Sequence, residues 1–166
     1  MAALKYNIIM RTHRSILVLL MSSTIFTWLG CKIPHYTLKE LPEKRIHIGW
    51  GGGFAGTNTA YILVENGQVF HKPDFEQDTI EMNKISRKGA KKLVKKGRKI
   101  LEKASTFNHP GNMYYFLEMP VDRSNSKRIT WGDINNPVDT TWKEFYTDLR
   151  KKLIALEAKK VKNVKK

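Results

Sequence analysis

Apolar residues follow two rhythms along this chain. From Arg45 to Ile48 apolar and polar positions alternate, and Asn58 to Val64 adds the β-branched and aromatic residues that favour strands. Asn66-Gly67 is a strong hairpin-turn signal, and Gln68-Val69-Phe70-His71 reads as the return strand. Met113 to Met119 predicts another strand, with Tyr115 and Leu117 on one face and Tyr114 and Phe116 on the other. Lys127 to Trp131 pairs back onto it. The second rhythm is helical. Between Lys84 and Lys103, residues Ile85, Leu93, Val94, Ile100 and Leu101 recur near a 3.6-residue period, with Ala90, Gly97 and Ala104 completing the stripe. From about Thr141, a last helix carries Trp142, Phe145, Tyr146, Leu149, Leu153 and Leu156 on one face, and Thr141 with Glu144 suits a capping box. The order predicts an α+β fold. A mostly antiparallel sheet of four or five strands has two helices packed on one face, following a cleavable signal peptide.

The first thirty residues break both rhythms. Lys5, Arg11 and Arg14 precede an apolar run that opens at Ile16 and ends at Leu29-Gly30-Cys31, with no acid before the cysteine. A basic start, an apolar middle and a small residue at the cut describe a secretory signal peptide over 1–30, starting at Met1 or Met10. Leu29-Gly30-Cys31 resembles the lipobox of bacterial lipoproteins, although Trp28 stands where leucine is usual. The resemblance implies lipid modification of Cys31, the only cysteine, and a membrane-anchored protein facing the periplasm or cell surface. Plain export with a free thiol is the other reading. Residues 31–44, with two prolines, then read as an anchored, extended tether, 45–159 as the domain, and 160–166 as a basic tail.

Gly49 to Thr57 interrupts the strand pattern with a glycine run. Trp50, Gly51, Gly52, Gly53, Phe54, Ala55 and Gly56 form the candidate interaction segment. Gly51-x-Gly53-x-x-Gly56 also satisfies a dinucleotide fingerprint and resembles the first turn of flavin-binding Rossmann enzymes, which implies FAD or NAD. That reading needs a helix beginning at the third glycine. The strand-forming residues after Gly56 favour a glycine loop between antiparallel strands instead, with Trp50 and Phe54 as aromatic anchors of a contact surface.

Charge widens the choice of partner. The chain carries 30 Lys and Arg against 15 Asp and Glu. Ten of these cations lie between Lys84 and Lys103, and Lys91, Lys92, Lys95, Lys96, Arg98 and Lys99 form a basic face. Such a face is either a solvated helix surface or a binder of anionic headgroups and envelope polymers. Export argues against nucleic acid. His35, His47, His71 and His109 are scattered, and no metal, nucleophile or acid–base motif accompanies them, so neither an enzyme nor a cofactor or metal site is expected.

The element order and the Gly51-Gly52-Gly53-Phe54-Ala55-Gly56 segment resemble uncharacterised exported bacterial proteins sharing a Gly-Gly-Gly-Phe-x-Gly signature, over about 45–155. Gly52-Gly53-Phe54-Ala55-Gly56 with this order also resembles emfourin, a protein inhibitor of thermolysin-like metallopeptidases. That resemblance implies a protease-inhibitory or peptide-binding module that contacts its target through the glycine loop. An envelope protein or peptide is the expected partner.

Overall fold

Strand β1 (Arg45–Gly52) is the centre of the sheet, and its alternation sorts the whole domain into two faces. Ile46, Ile48 and Trp50 point one way; Arg45, His47, Gly49 and Gly51 point the other. The computed structural model describes residues 33–74, 79–104, 106–122 and 124–164, with side chains of the last helix described as far as Leu156. The expected signal peptide, Cys31 and the last two residues of the expected 160–166 tail lie outside the described residues; the rest of that tail belongs to the last helix.

On either side of β1 run β2 (Thr57–Val64) and β6 (Met113–Pro120), both antiparallel to it. Beyond β2 come β3 (Val69–Lys72) and β4 (Ile80–Met82); beyond β6 come β7 (Ser126–Trp131) and β5 (Asn108–His109). The order β4-β3-β2-β1-β6-β7-β5 makes seven strands, so the expected four or five is corrected upward. The two additional strands span three and two residues, too short to show any alternation. β5 lies parallel to β7, which makes the sheet mixed. The turn at Asn66-Gly67 forms as the sequence predicts, with Gly67 at φ 97° and its N–H donated to Val64 C=O at 2.9 Å.

Two helices cover one face. Helix α1 (Arg87–Lys103) starts at Ser86, whose hydroxyl accepts the Gly89 N–H at 3.2 Å, and buries Ala90, Val94, Gly97, Ile100 and Leu101. Helix α2 (Thr140–Val164) buries Phe145, Tyr146, Leu149 and Leu153. Its cap is Asp139 rather than the expected Thr141. Asp139 Oδ1 accepts the N–H groups of Thr141 and Trp142 at 2.8 and 3.3 Å. A cap must stand just before the first helical residue to reach those donors, and the helix begins at Thr140, two residues before the first member of its apolar stripe.

The core lies between helices and sheet, where Ile46, Ile48, Leu63, Val69, Leu117 and Ile129 meet Val94, Leu101, Leu149 and Leu153. Each such aliphatic side chain contributes on the order of 1.5–3 kcal/mol through burial. Gly97 brings α1 close to β1, because a Cβ there would overlap the Ile46 side chain. Among the described residues, no helix is long and apolar enough to cross a membrane.

The compact unit begins at His35, ahead of the Arg45 boundary expected from sequence. Tyr36 exchanges two hydrogen bonds with the buried Gln68 side chain, at 2.8 and 3.1 Å. Arg45 donates to the carbonyls of Leu41 and Pro42 at 3.1 and 2.6 Å. Residues 35–44, read as spacer, are therefore bonded to the sheet.

Candidate functional site

The glycine run divides by backbone geometry into two groups. Gly52, Gly53 and Gly56 have φ of 98°, 75° and 63°, the left-handed region that strains any residue with a Cβ. They build the turn between β1 and β2, in which the Gly56 N–H donates to Gly53 C=O at 3.0 Å. Asn112 fixes the turn from the side, its carbonyl accepting the Gly53 N–H at 2.7 Å. A Cβ on Gly52 would overlap that carbonyl. Thr57 Oγ1 donates to Gly52 C=O at 3.0 Å and ties the second strand in. At the apex stands Phe54, with 111% relative exposure, so among the described residues no other side chain covers the ring. Ala55 and Gly56 beside it are exposed as well.

Gly49 and Gly51 serve another purpose. They share the face of β1 away from the helices, where the Phe116 ring lies across Gly49 and the Tyr114 ring across Gly51. Missing side chains in one strand let aromatic rings of the neighbour lie flat. The sequence carried a signal for this, since Gly49/Gly51 and Tyr114/Phe116 have the same period of two. Its meaning depends on β1 pairing with β6, which no local pattern announces.

Trp50 is not brought to Phe54. Its ring faces the helices, 6.0 Å from the Tyr61 ring and 4.2 Å from the Arg150 guanidinium. The expected pair of aromatic anchors thus reduces to Phe54. The dinucleotide reading also loses its required element: Gly56 leads into β2, antiparallel to β1, and no helix N-terminus stands there.

The second expected surface is assembled as the helical period predicts. Lys91, Lys92, Lys95, Lys96, Arg98 and Lys99 are all exposed on α1. Among the described residues none of them is ion-paired; Lys96 Nζ lies 5.4 Å from the Phe145 ring centre. Between the helices a cavity of about 760 Å³ is lined by Lys96, Lys99, Lys103 and Trp142, with Glu102 and Asp139 adding two acids.

Sequence reasoning missed the open face of the sheet. There the Arg128 guanidinium lies 3.9 Å from the Phe116 ring centre and 3.4 Å from Glu118 Oε2. Arg45 Nε donates to His47 Nε2 at 3.0 Å, which requires a neutral imidazole as acceptor. Burial pushes the His47 pKa down to about 4, Arg45 adding to the effect and Glu118 opposing it. Toward the β5 end of this face an open concavity of about 740 Å³ is lined by Asn108, Tyr114, Ser126, Lys127, Arg128 and Thr130, together with Thr106 and Pro110.

The remaining histidines are dispersed. His35 pairs with Glu81 at 3.2 Å, His71 stacks on Tyr61 at 4.4 Å, and His109 meets Phe107 edge-on. Among the described residues no group of three His, Cys, Asp or Glu side chains converges as a metal site would require. No protein-family model matches the chain, and no curated protein is significantly similar to it.

Proposed function

We propose that this chain is an exported, lipid-anchored, non-catalytic binding module that engages an envelope protein through the β1–β2 hairpin. Cys31 would carry the lipid and hold the domain at the membrane. The observation that carries the reading is Phe54: a fully exposed aromatic ring on a turn whose backbone is bonded to a neighbouring loop. Exposing a phenylalanine forgoes the roughly 1.5–3 kcal/mol that its burial would contribute. Placed on a hydrogen-bonded turn, the ring is presented to a partner's apolar pocket. The resemblance to metallopeptidase inhibitors makes a thermolysin-like peptidase the first target to try.

The test uses the full-length chain in non-ionic detergent, assayed for inhibition of thermolysin and for partners retained from envelope extract. Both should persist in about 0.5 M salt, where screening confines charge attraction to a few ångströms. Both should be lost with Phe54→Ala, a surface change expected to alter stability by less than about 0.5 kcal/mol. Retention by Phe54→Ala equal to wild type would remove the hairpin from the contact.

A second reading rests on the exposed cations of α1, not ion-paired among the described residues, which suit anionic headgroups or envelope polymers. It requires binding to vesicles containing phosphatidylglycerol that disappears in the same salt and after charge reversal at Lys92, Lys95 and Lys99.

A further inference from the structure

The sheet ends unevenly on the β5 side, and that unevenness leaves a binding edge. β5 pairs only with Thr130 and Trp131 of β7. The Thr130 N–H points outward, donating to Phe107 C=O at 2.9 Å. By the alternation of an antiparallel ladder, the N–H and C=O groups of Arg128 and Ser126 point to the same outer side. Among the described residues nothing pairs with them, and Ser126, Lys127 and Arg128 are all exposed. The lower half of β7 is thus an open strand edge.

Two cavities lie on either face of this edge, and Lys127 lines both. On the open face is the concavity of about 740 Å³ with Arg128, Lys127, Asn108, Tyr114 and Thr130, and no acid among the described residues of its lining. On the helix face is a smaller one, about 130 Å³, where Leu101, Met119, Pro120 and Val121 are joined by Arg98, Glu102 and Lys127. A strand added beside β7 would point successive side chains to opposite faces.

We propose that the Ser126–Arg128 edge captures an extended peptide by strand addition, reading an acidic residue on the open face and an apolar neighbour on the helix face. The backbone groups of Ser126 and Arg128 supply the pairing. On the open face Arg128 selects the carboxylate, and on the helix face, which Lys127 shares, Leu101 and Val121 receive the apolar side chain. The same cations set the occupant. Two copies of this edge would bring Lys127 and Arg128 against their own kind, whereas an acidic strand is complementary to them. This surface is separate from the Phe54 apex and stands or falls without it.

The experiment uses the full-length chain in detergent and a fluorescent octapeptide alternating Glu and Val, followed by anisotropy. Two further versions carry N-methyl groups on all the Glu amides or on all the Val amides, and a fourth replaces Glu by Lys. The Glu–Val peptide should bind at least about tenfold tighter than the Lys–Val peptide and than one of the methylated versions. Arg128→Glu should weaken it by a similar factor. Ser126→Pro removes one outward N–H without disturbing core or charge, so it tests the pairing even if Arg128→Glu fails to fold. Phe54→Ala should bind the peptide like wild type. Equal binding of both methylated versions and the parent would overturn strand addition in favour of plain charge attraction. Equal binding of the Lys–Val peptide, or none by Glu–Val, would overturn the proposal altogether.

Discussion

The two faces of the sheet are built from the same strands by different means. On the helix-covered face, long aliphatic side chains such as Ile46, Leu63 and Leu117 project into a layer supplied by α1 and α2. On the open face, among the described residues, neither α1 nor α2 lies above β1. Phe116 is nevertheless only 5% exposed, because it lies across Gly49 and beneath the Arg128 guanidinium. Glycine works in opposite places on the two faces. Gly97 sits in the helix and admits a strand side chain, while Gly49 and Gly51 sit in the strand and admit rings. A face without a second layer can still bury an aromatic if its neighbour gives up a side chain. What it buries in this way stays close to water and to charge.

That contrast breaks first by truncating neighbours on β6. Leu117→Ala removes a fully enclosed side chain and should cost about 2–5 kcal/mol in denaturant unfolding. Phe116→Ala deletes more atoms yet should cost less than Leu117→Ala, because water enters the space under Arg128. The reverse order would mean that the open face is as sealed as the covered one.

Adding atoms should then show which glycines carry packing. Gly49→Ala places a Cβ against the Phe116 ring and the Thr59 carbonyl, and should destabilise by about 1–3 kcal/mol. Gly56→Ala meets nothing within 4 Å and bears only its positive φ, so about 1 kcal/mol is expected. Thermal unfolding of the two variants gives the comparison directly.

One side chain links the faces. Tyr146 in α2 donates its hydroxyl to the Gly49 carbonyl at 2.9 Å in a buried setting, and burial raises its pKa. Tyr146→Phe leaves that carbonyl without its partner and should cost about 1–2 kcal/mol. A neutral result would show that water reaches Gly49 from the open side.

Acid titration of His47 probes the open face by charge rather than by packing. Its pKa is depressed from 6.5 to about 4, so the folded state binds this proton later than the unfolded chain does. Stability from His47 is therefore fully present above about pH 6.5 and is lost as pH falls through about 4. His47→Gln should flatten the stability profile within that window, as read by urea midpoints. An unchanged slope there would assign the acid sensitivity to carboxylates instead.

Much of this architecture was legible from local pattern. The period-2 segments gave β1, β2, β3, β6 and β7, Asn66-Gly67 gave the hairpin, and the 3.6-period stripes gave both helices and their buried residues. Each of these is set by contacts within a few residues and by the need to place apolar groups on one side. The basic face of α1 was legible for the same reason, since a helix fixes its own outward positions. The strands at Ile80–Met82 and Asn108–His109 were not, because two or three residues carry no period and pair only when the sheet edge is already there.

Tertiary structure alone decided what the glycines are for. In sequence Gly49 to Gly56 is one run; in space Gly49 and Gly51 receive the rings of β6, while Gly52, Gly53 and Gly56 shape the turn. It also turned Trp50 to the helices, left Phe54 uncovered, drew residues 35–44 onto the sheet and stopped β5 short of the lower half of β7. All of these depend on which strand lies beside which. A chain specifies its own periodicity residue by residue, but a residue's neighbour across a sheet is fixed only when distant segments choose the register that buries the most apolar surface.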